Sequence, residues 1–310
     1  MKKVMLLLGA LSLVSSVAYA KEVLPAVEEV VVVEEVKTTA PTLTVTSIGQ
    51  ALEFDNDSGS SDIGESVFFR NYVNLAYGED WTFNLMAAKI WDMDTDEGID
   101  SDNHRLELGF WRNFDNFSIG ARWRGQSDYD RLYLQGKYSY GMFSGNLDIA
   151  YQASNDDSDS RDGWYVEGEP LQVTVGPLTF GYYIKSQGNY LTGTETAGDI
   201  NYWFKHQLRV AFPLYKGEKL DLGFQYGWEF ANSMDVEGDY YAYKHDSNTH
   251  VLWLNASYAV SENLTISGYY EYDMYEWEKE GNGTLSDDSP RSNDDESYYG
   301  EFFIGWTYTF

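Results

Sequence analysis

The chain has no cysteine, which excludes disulfides and thiolate metal sites. It has six prolines and only four histidines, His104, His206, His245 and His250. Positive charge is scarce too: 21 Lys and Arg stand against 50 Asp and Glu, for a formal net charge of −29. Nucleic acid is excluded as a partner, because phosphate binding needs a basic footprint. Beyond the first 20 residues no stretch approaches the roughly 20 apolar residues that a spanning helix requires.

Aromatic residues are abundant, at 17%, with 26 Tyr and 10 Trp. A polar average with this many amphipathic rings suits a chain that hides apolar side chains by alternation and sets its rings at membrane interfaces. Residues 1–20 read as a secretory signal peptide: basic Met1-Lys2-Lys3, an apolar core over Val4–Val17, and the cleavage motif Ala18-Tyr19-Ala20. Residues 21–41, rich in Val and Glu and bounded by Pro25 and Pro41, read as a periplasmic linker or accessory segment. It dangles, enters the pore or meets a partner.

From Thr42 to Phe310 the chain runs in alternating segments. Strands are expected near 42–56, 65–78, 81–94, 103–114, 117–125, 129–141, 145–153, 164–176, 178–188, 200–215, 220–233, 249–260, 264–278 and 297–310. Between them, six short breaks alternate with seven longer acidic ones (57–64, 95–102, 126–128, 154–163, 189–199, 234–248 and 279–296). That asymmetry fits short periplasmic turns and longer outer loops. The fold class is therefore all-β: a transmembrane antiparallel up-and-down β-barrel of about fourteen strands, or twelve if 126–128 is not an outer loop. The first strand changes phase near Thr46-Ser47, which calls for a β-bulge. The eighth is irregular at Glu167, Glu169 and Pro170, since proline cannot donate to a ladder.

Facing follows from the alternation. Phe117, Ile119, Ala121 and Trp123 share one phase, as do Leu220, Leu222, Phe224, Tyr226 and Trp228, and Leu264, Ile266, Tyr270 and Tyr272. With aromatics beside the turns (Trp81, Phe117, Phe212, Tyr258), these phases are assigned to lipid. The polar phase then lines an aqueous lumen, since unpaired charges in a dry interior would each cost several kcal/mol. Arg105, Arg122, Arg124, Arg131 and Lys137 form a basic wall, and Glu229, Glu271, Asp273 and Glu301 an acidic wall across from it. Such a transverse field would tune ion selectivity. The alternative is scattered pore-wetting charge, partly paired with neighbours such as Glu107.

Loop runs 156–160 and 286–290 are acidic but lack a full calcium loop, so no metal or cofactor is expected. His206 falls on the lipid phase and His245-Asp246-Ser247 in a loop. Adjacency in sequence does not make a triad, so no catalytic residue is expected and the protein is read as a non-enzyme.

The last strand carries Phe302, Ile304, Trp306, Tyr308 and Phe310 on one phase, with Glu301 and Phe303 on the other. It resembles the terminal strand of bacterial outer-membrane β-barrels, which implies an assembly signal read by the barrel-assembly machinery. Phe303, facing inward, would narrow the pore or touch 21–41. The leader and the start of the mature chain, Lys21-Glu22-Val23-Leu24-Pro25-Ala26, followed by the Val/Glu stretch, resemble the major outer-membrane porins of fusobacteria. The resemblance implies an outer-membrane porin passing small hydrophilic solutes and ions, monomeric or trimeric, with no catalytic residue. The alternatives are a surface adhesin or envelope-anchoring barrel without an open pore, and a more selective oligosaccharide channel.

Overall fold

A computed structural model describes residues 41–57, 66–94, 98–155, 162–192, 200–236, 242–245, 249–280 and 296–310. The signal peptide, nearly all of 21–41 and both acidic loop runs lie outside the described residues. Fifteen strands follow in order: β1 Leu43–Asp57, β2 Ser66–Tyr77, β3 Trp81–Asp94, β4 Gly98–Asn113, β5 Phe117–Gly125, β6 Tyr129–Tyr140, β7 Phe143–Ser154 and β8 Asp162–Val175. Then come β9 Leu178–Thr192, β10 Ile200–Lys216, β11 Leu220–Val236, β12 Ala242–His245, β13 Thr249–Ala259, β14 Leu264–Glu280 and β15 Glu296–Thr309. Each barrel strand pairs antiparallel with its sequence neighbour, and β15 returns to pair with β1. Fourteen strands thus close a barrel, and closure leaves no free edge.

The fifteenth strand is a correction. The stretch 234–248, read as a loop containing His245, holds the short strand β12. β11 and β14 outrun β13 at the outer end, and β12 fills the place left between them, pairing Ser233 with Lys244 and Trp277 with His245. A second correction concerns 95–102: β3 and β4 continue as a hairpin above the barrel, with Asp94 opposite Gly98 and Trp91 opposite Ser101.

The short connection 126–128 is a true loop, which fixes the count at fourteen rather than twelve. Buried Asn103 ties it down. Its amide donates to Asp128 Oδ1 (2.6 Å), and its Oδ1 accepts from the Ser127 amide (3.1 Å). On the other side the Asn155 amide donates to the Asp128 carbonyl (2.8 Å).

Alternation decides which face meets lipid. Leu134 is 61% exposed, while Gln135 beside it is 4% exposed. Ile119, Leu254, Ile266, Phe302 and Ile304 share the exposed face, and Ser118, Arg122, Glu229 and Asp273 the buried one. The apolar face is outside. At the periplasmic end the hairpins are tight: Gly141-Met142 joins β6 to β7, and Gly176-Pro177 joins β8 to β9. Both glycines have positive φ (59° and 60°), as the first central residue of a primed hairpin turn must.

Both irregular strands contain bulges. In β1 the register slips between Val45 and Ser47, leaving Thr46 as the extra residue. Its carbonyl accepts from the Phe310 amide (3.0 Å). Closure therefore starts at Thr46 and Ser47, while Leu43 and Val45 pair with β2 below the end of β15. In β8 the slip lies between Gly168 and Leu171. Pro170, with no N–H to give, sits in the bulge, and its carbonyl accepts from the Tyr138 hydroxyl (3.0 Å).

Candidate functional site

The inward face is a continuous lining of ions, amides and rings. In the closed ring β5 stands seven places from β13, so β4–β6 lie across from β11, β13 and β14.

On the first side, Glu107 of β4 is 1% exposed and takes both guanidinium groups of β5, Arg124 Nε at 2.5 Å and Arg122 Nη1 at 3.5 Å. Arg122 also reaches Asp148 of β7 (3.0 Å), which accepts from Gln135 (2.7 Å). Arg131 lies directly across from Arg124. Its Nε donates to Gln152 (2.7 Å), and its guanidinium rests against the rings of Tyr129 and Tyr165. Arg105 donates to Gln126 (2.9 Å) and lies over Phe68, while the Lys137 ammonium lies 4.5 Å from the Trp111 ring centre. Among the described residues, no carboxylate stands within salt-bridge distance of Arg105, Arg131 or Lys137. The five predicted basic residues thus share one side of the lumen. Arg122 and Arg124 are tightly ion-paired; the other three rest on amides and aromatic faces.

On the opposite side, Glu229 accepts from Gln207 and Asn232 (2.8 Å each). Lys205 Nζ lies 3.3 Å from Glu229 and 3.7 Å from Asp273. Glu271 stands across from Glu301, which accepts from the Tyr269 hydroxyl. Phe303 points inward and stacks on Tyr269 at 5.2 Å. The four predicted acidic residues also share a region, and it contains a cation, Lys205, that the sequence reading left out.

Two further pairs were missed. Glu53 of β1 pairs with Arg70 of β2. Glu169, carried inward by the β8 bulge, binds Arg209 at 2.7 Å. That bond passes over Gly181, where a Cβ would lie 2.7 Å from Glu169 Oε2. Arg209 also sits 3.7 Å from the Tyr183 ring centre and 4.6 Å from that of Trp253. The signal for Arg70 and Arg209 was their inward phase. Glu169 was hidden because a bulge reverses phase. The carboxylates of Glu53, Asp55 and Glu301 approach within 4.8 Å of one another, the one such grouping among the described residues; Arg70 and Tyr269 already engage two of them.

At the outer end, Asp92 has its carboxyl raised above the ordinary range, first by partial burial and then by Asp102 and Asp100 beside it. On the lipid side His206 and His250 bond the hydroxyls of Tyr182 and Tyr226 (2.7 and 2.8 Å), away from the lumen. His245 ends β12 rather than lying in a loop.

No protein-family model matches the sequence, and no curated protein matches it significantly. Solved structures with a similar fold include a bacterial polysaccharide outer membrane secretin, at 11% identity over 86% of this chain and 98% of that one, with a TM-score of 0.50. Others are the anion-selective porin from Comamonas acidovorans (12% identity, 87% and 100% covered, TM-score 0.41) and the outer membrane channel DcaP of Acinetobacter baumannii (10% identity, 88% and 99% covered, TM-score 0.41). At such identities the likeness concerns fold. The chain is a closed fourteen-stranded transmembrane-type β-barrel with its apolar face outward.

Proposed function

We propose that the protein is an outer-membrane porin, a passive channel for small hydrophilic solutes and ions. One observation carries this: the inward face is lined with charged side chains, and Asp148, Lys205 and Arg209 keep part of their surface open to solvent. A filled, dry barrel would make such a lining costly. The leader and Lys21–Ala26 support a relationship to the fusobacterial major porins. The terminal phase Phe302, Ile304, Trp306, Tyr308 and Phe310 supports recognition by the barrel-assembly machinery.

Within this channel the selective element is the pair of facing walls. Ion-paired groups largely cancel at a distance, so the field across the lumen comes mainly from Arg105, Arg131 and Lys137 on one side, and from Glu271 and the carboxylate that Lys205 leaves unbalanced between Glu229 and Asp273 on the other. Planar-bilayer recordings in a salt gradient test both levels. Absence of conductance from folded protein would favour the adhesin or anchoring reading. Given conductance, Arg131→Gln should move the reversal potential toward cations, and no shift would remove the assignment. A sugar-stacking channel is less well supported. Cations already cover the rings of Tyr133, Tyr165, Tyr183, Trp203 and Trp253. We read the protein as a non-enzyme, because His206 and His250 both face lipid.

A further inference from the structure

At the foot of the barrel, on its outer surface, a cleft of about 410 Å³ opens between two neighbouring periplasmic turns. This is more than ten times the roughly 30 Å³ share of a liquid water. It is lined by Asp80 of the β2–β3 turn, by Arg112 and Asn113 at the end of β4, by Phe114, Asp115 and Asn116 of the β4–β5 turn, and by Phe117 at the start of β5.

Arg112 belongs to the lipid-facing phase of its strand: Trp111 before it is buried and turned inward over Lys137, and its partner Ile119 is half exposed. A charge on that face is tolerated near the interface, where the penalty falls to about 0–1 kcal/mol. Its guanidinium is held from three sides. Asp80 Oδ2 takes Nη1 at 2.8 Å, and the rings of Trp81 and Phe114 lie 5.2 and 5.6 Å from its central carbon. Both ions remain open, Arg112 at 37% and Asp80 at 52% side-chain exposure. Five N–H donors sit on a guanidinium, so Asp80 leaves the others free. Asp115 has no cation beside it among the described residues. Phe114 and Phe117 stack with centres 4.4 Å apart, forming a wall rather than a cage.

We propose that this cleft binds the headgroup of an aminophospholipid of the periplasmic leaflet, with its phosphate on Arg112 and its primary ammonium between Asp80 and Asp115. The charges select this class. One cation beside two carboxylates disfavours a purely anionic headgroup, while a zwitterion satisfies both signs. A primary ammonium donates hydrogen bonds that a trimethylammonium cannot, and stacked Phe114 and Phe117 offer no cage for the latter. The acyl chains then run up the exposed face past Phe110 and Ile119.

Native mass spectrometry of the full chain in detergent tests this, with phosphatidylethanolamine, phosphatidylglycerol and phosphatidylcholine of matched acyl chains. Phosphatidylethanolamine should bind at several-fold lower concentration than the other two. Arg112→Gln should weaken it about tenfold, the loss of one charge-assisted contact. Asp80→Asn with Asp115→Asn should abolish the discrimination against phosphatidylglycerol. Circular dichroism verifies that each variant is folded, since none of these side chains reaches the lumen. Equal binding of the three lipids, or binding unchanged in folded Arg112→Gln, would overturn the proposal. So would equally tight binding of water-soluble phosphoethanolamine, which would detach the site from the bilayer. None of these readouts depends on conductance, so the channel reading stands or falls separately.

Discussion

Glu107 holds two guanidinium groups while almost wholly withdrawn from solvent. Removing one member of a buried ion cluster usually costs about 3–5 kcal/mol, because it strands the partner charge. Glu107→Gln should therefore lower the unfolding free energy by about that amount in a urea titration in micelles. The same variant releases positive charge into the lumen and should move the reversal potential toward anions. A destabilisation below about 1 kcal/mol would mean that water already solvates the cluster. The individual charges were legible from phase alone, and so was Glu107 as a partner, but the more distant partners were not. Asp148 reaches past β6 to Arg122 of β5, and Lys205 reaches past β11 and β13 to Asp273 of β14. Which partner they meet depends on register and on bulges that period-two reasoning does not resolve.

At the scale of strands and turns, the bulge in β8 redirects Glu169 into the lumen, and Gly145 makes room for it. A Cβ on Gly145 would lie 2.5 Å from the Pro170 carbonyl oxygen and 2.8 Å from the Tyr138 ring. Gly145→Ala should thus cost about 1–3 kcal/mol, the usual range for overpacking, and thermal melting of the folded barrel would register it. Deleting Phe310 removes the amide that bonds Thr46. That variant should yield markedly less heat-modifiable, folded barrel, while the molecules that do fold conduct normally; a normal yield would remove any role in assembly. The Thr46 bulge and the β8 irregularity were both readable, since a phase change in an amphipathic strand has few other causes. The strand β12 was not, because it exists only where β11 and β14 overrun β13, a fact of three-dimensional length matching.

For the whole molecule, the distribution of charge matters more than its total. The two sides of the lumen carry opposite excess charge, each partly paired within itself, whereas acidic residues crowd the outer connections, as at Asp92, Asp100 and Asp102. The attraction of the mouth for cations should therefore fade as the Debye length shrinks from about 10 Å at 0.1 M salt to about 3 Å at 1 M. The part of the selectivity set inside the lumen should persist. Reversal potentials at a fixed gradient ratio and rising absolute concentration would separate the two, and a selectivity lost entirely at 1 M would assign it all to the mouth. Strand number and facing were recoverable from sequence because alternation with a fixed period is a local property. Whether the lumen charges were paired was not, because that is a property of the closed ring.

The pairing of β1 with β15 joins residues separated by nearly the whole barrel sequence. Every other barrel seam except that around β12 forms between adjacent hairpin arms, at small loop-closure entropy. Formation of the last seam must gather all fourteen strands first, so it should be the slow, cooperative step of folding. Until then β1 presents an unpaired edge whose backbone N–H and C=O groups the bilayer interior cannot satisfy, and the time spent in that open state sets the chance of pairing with a second chain instead of with its own end.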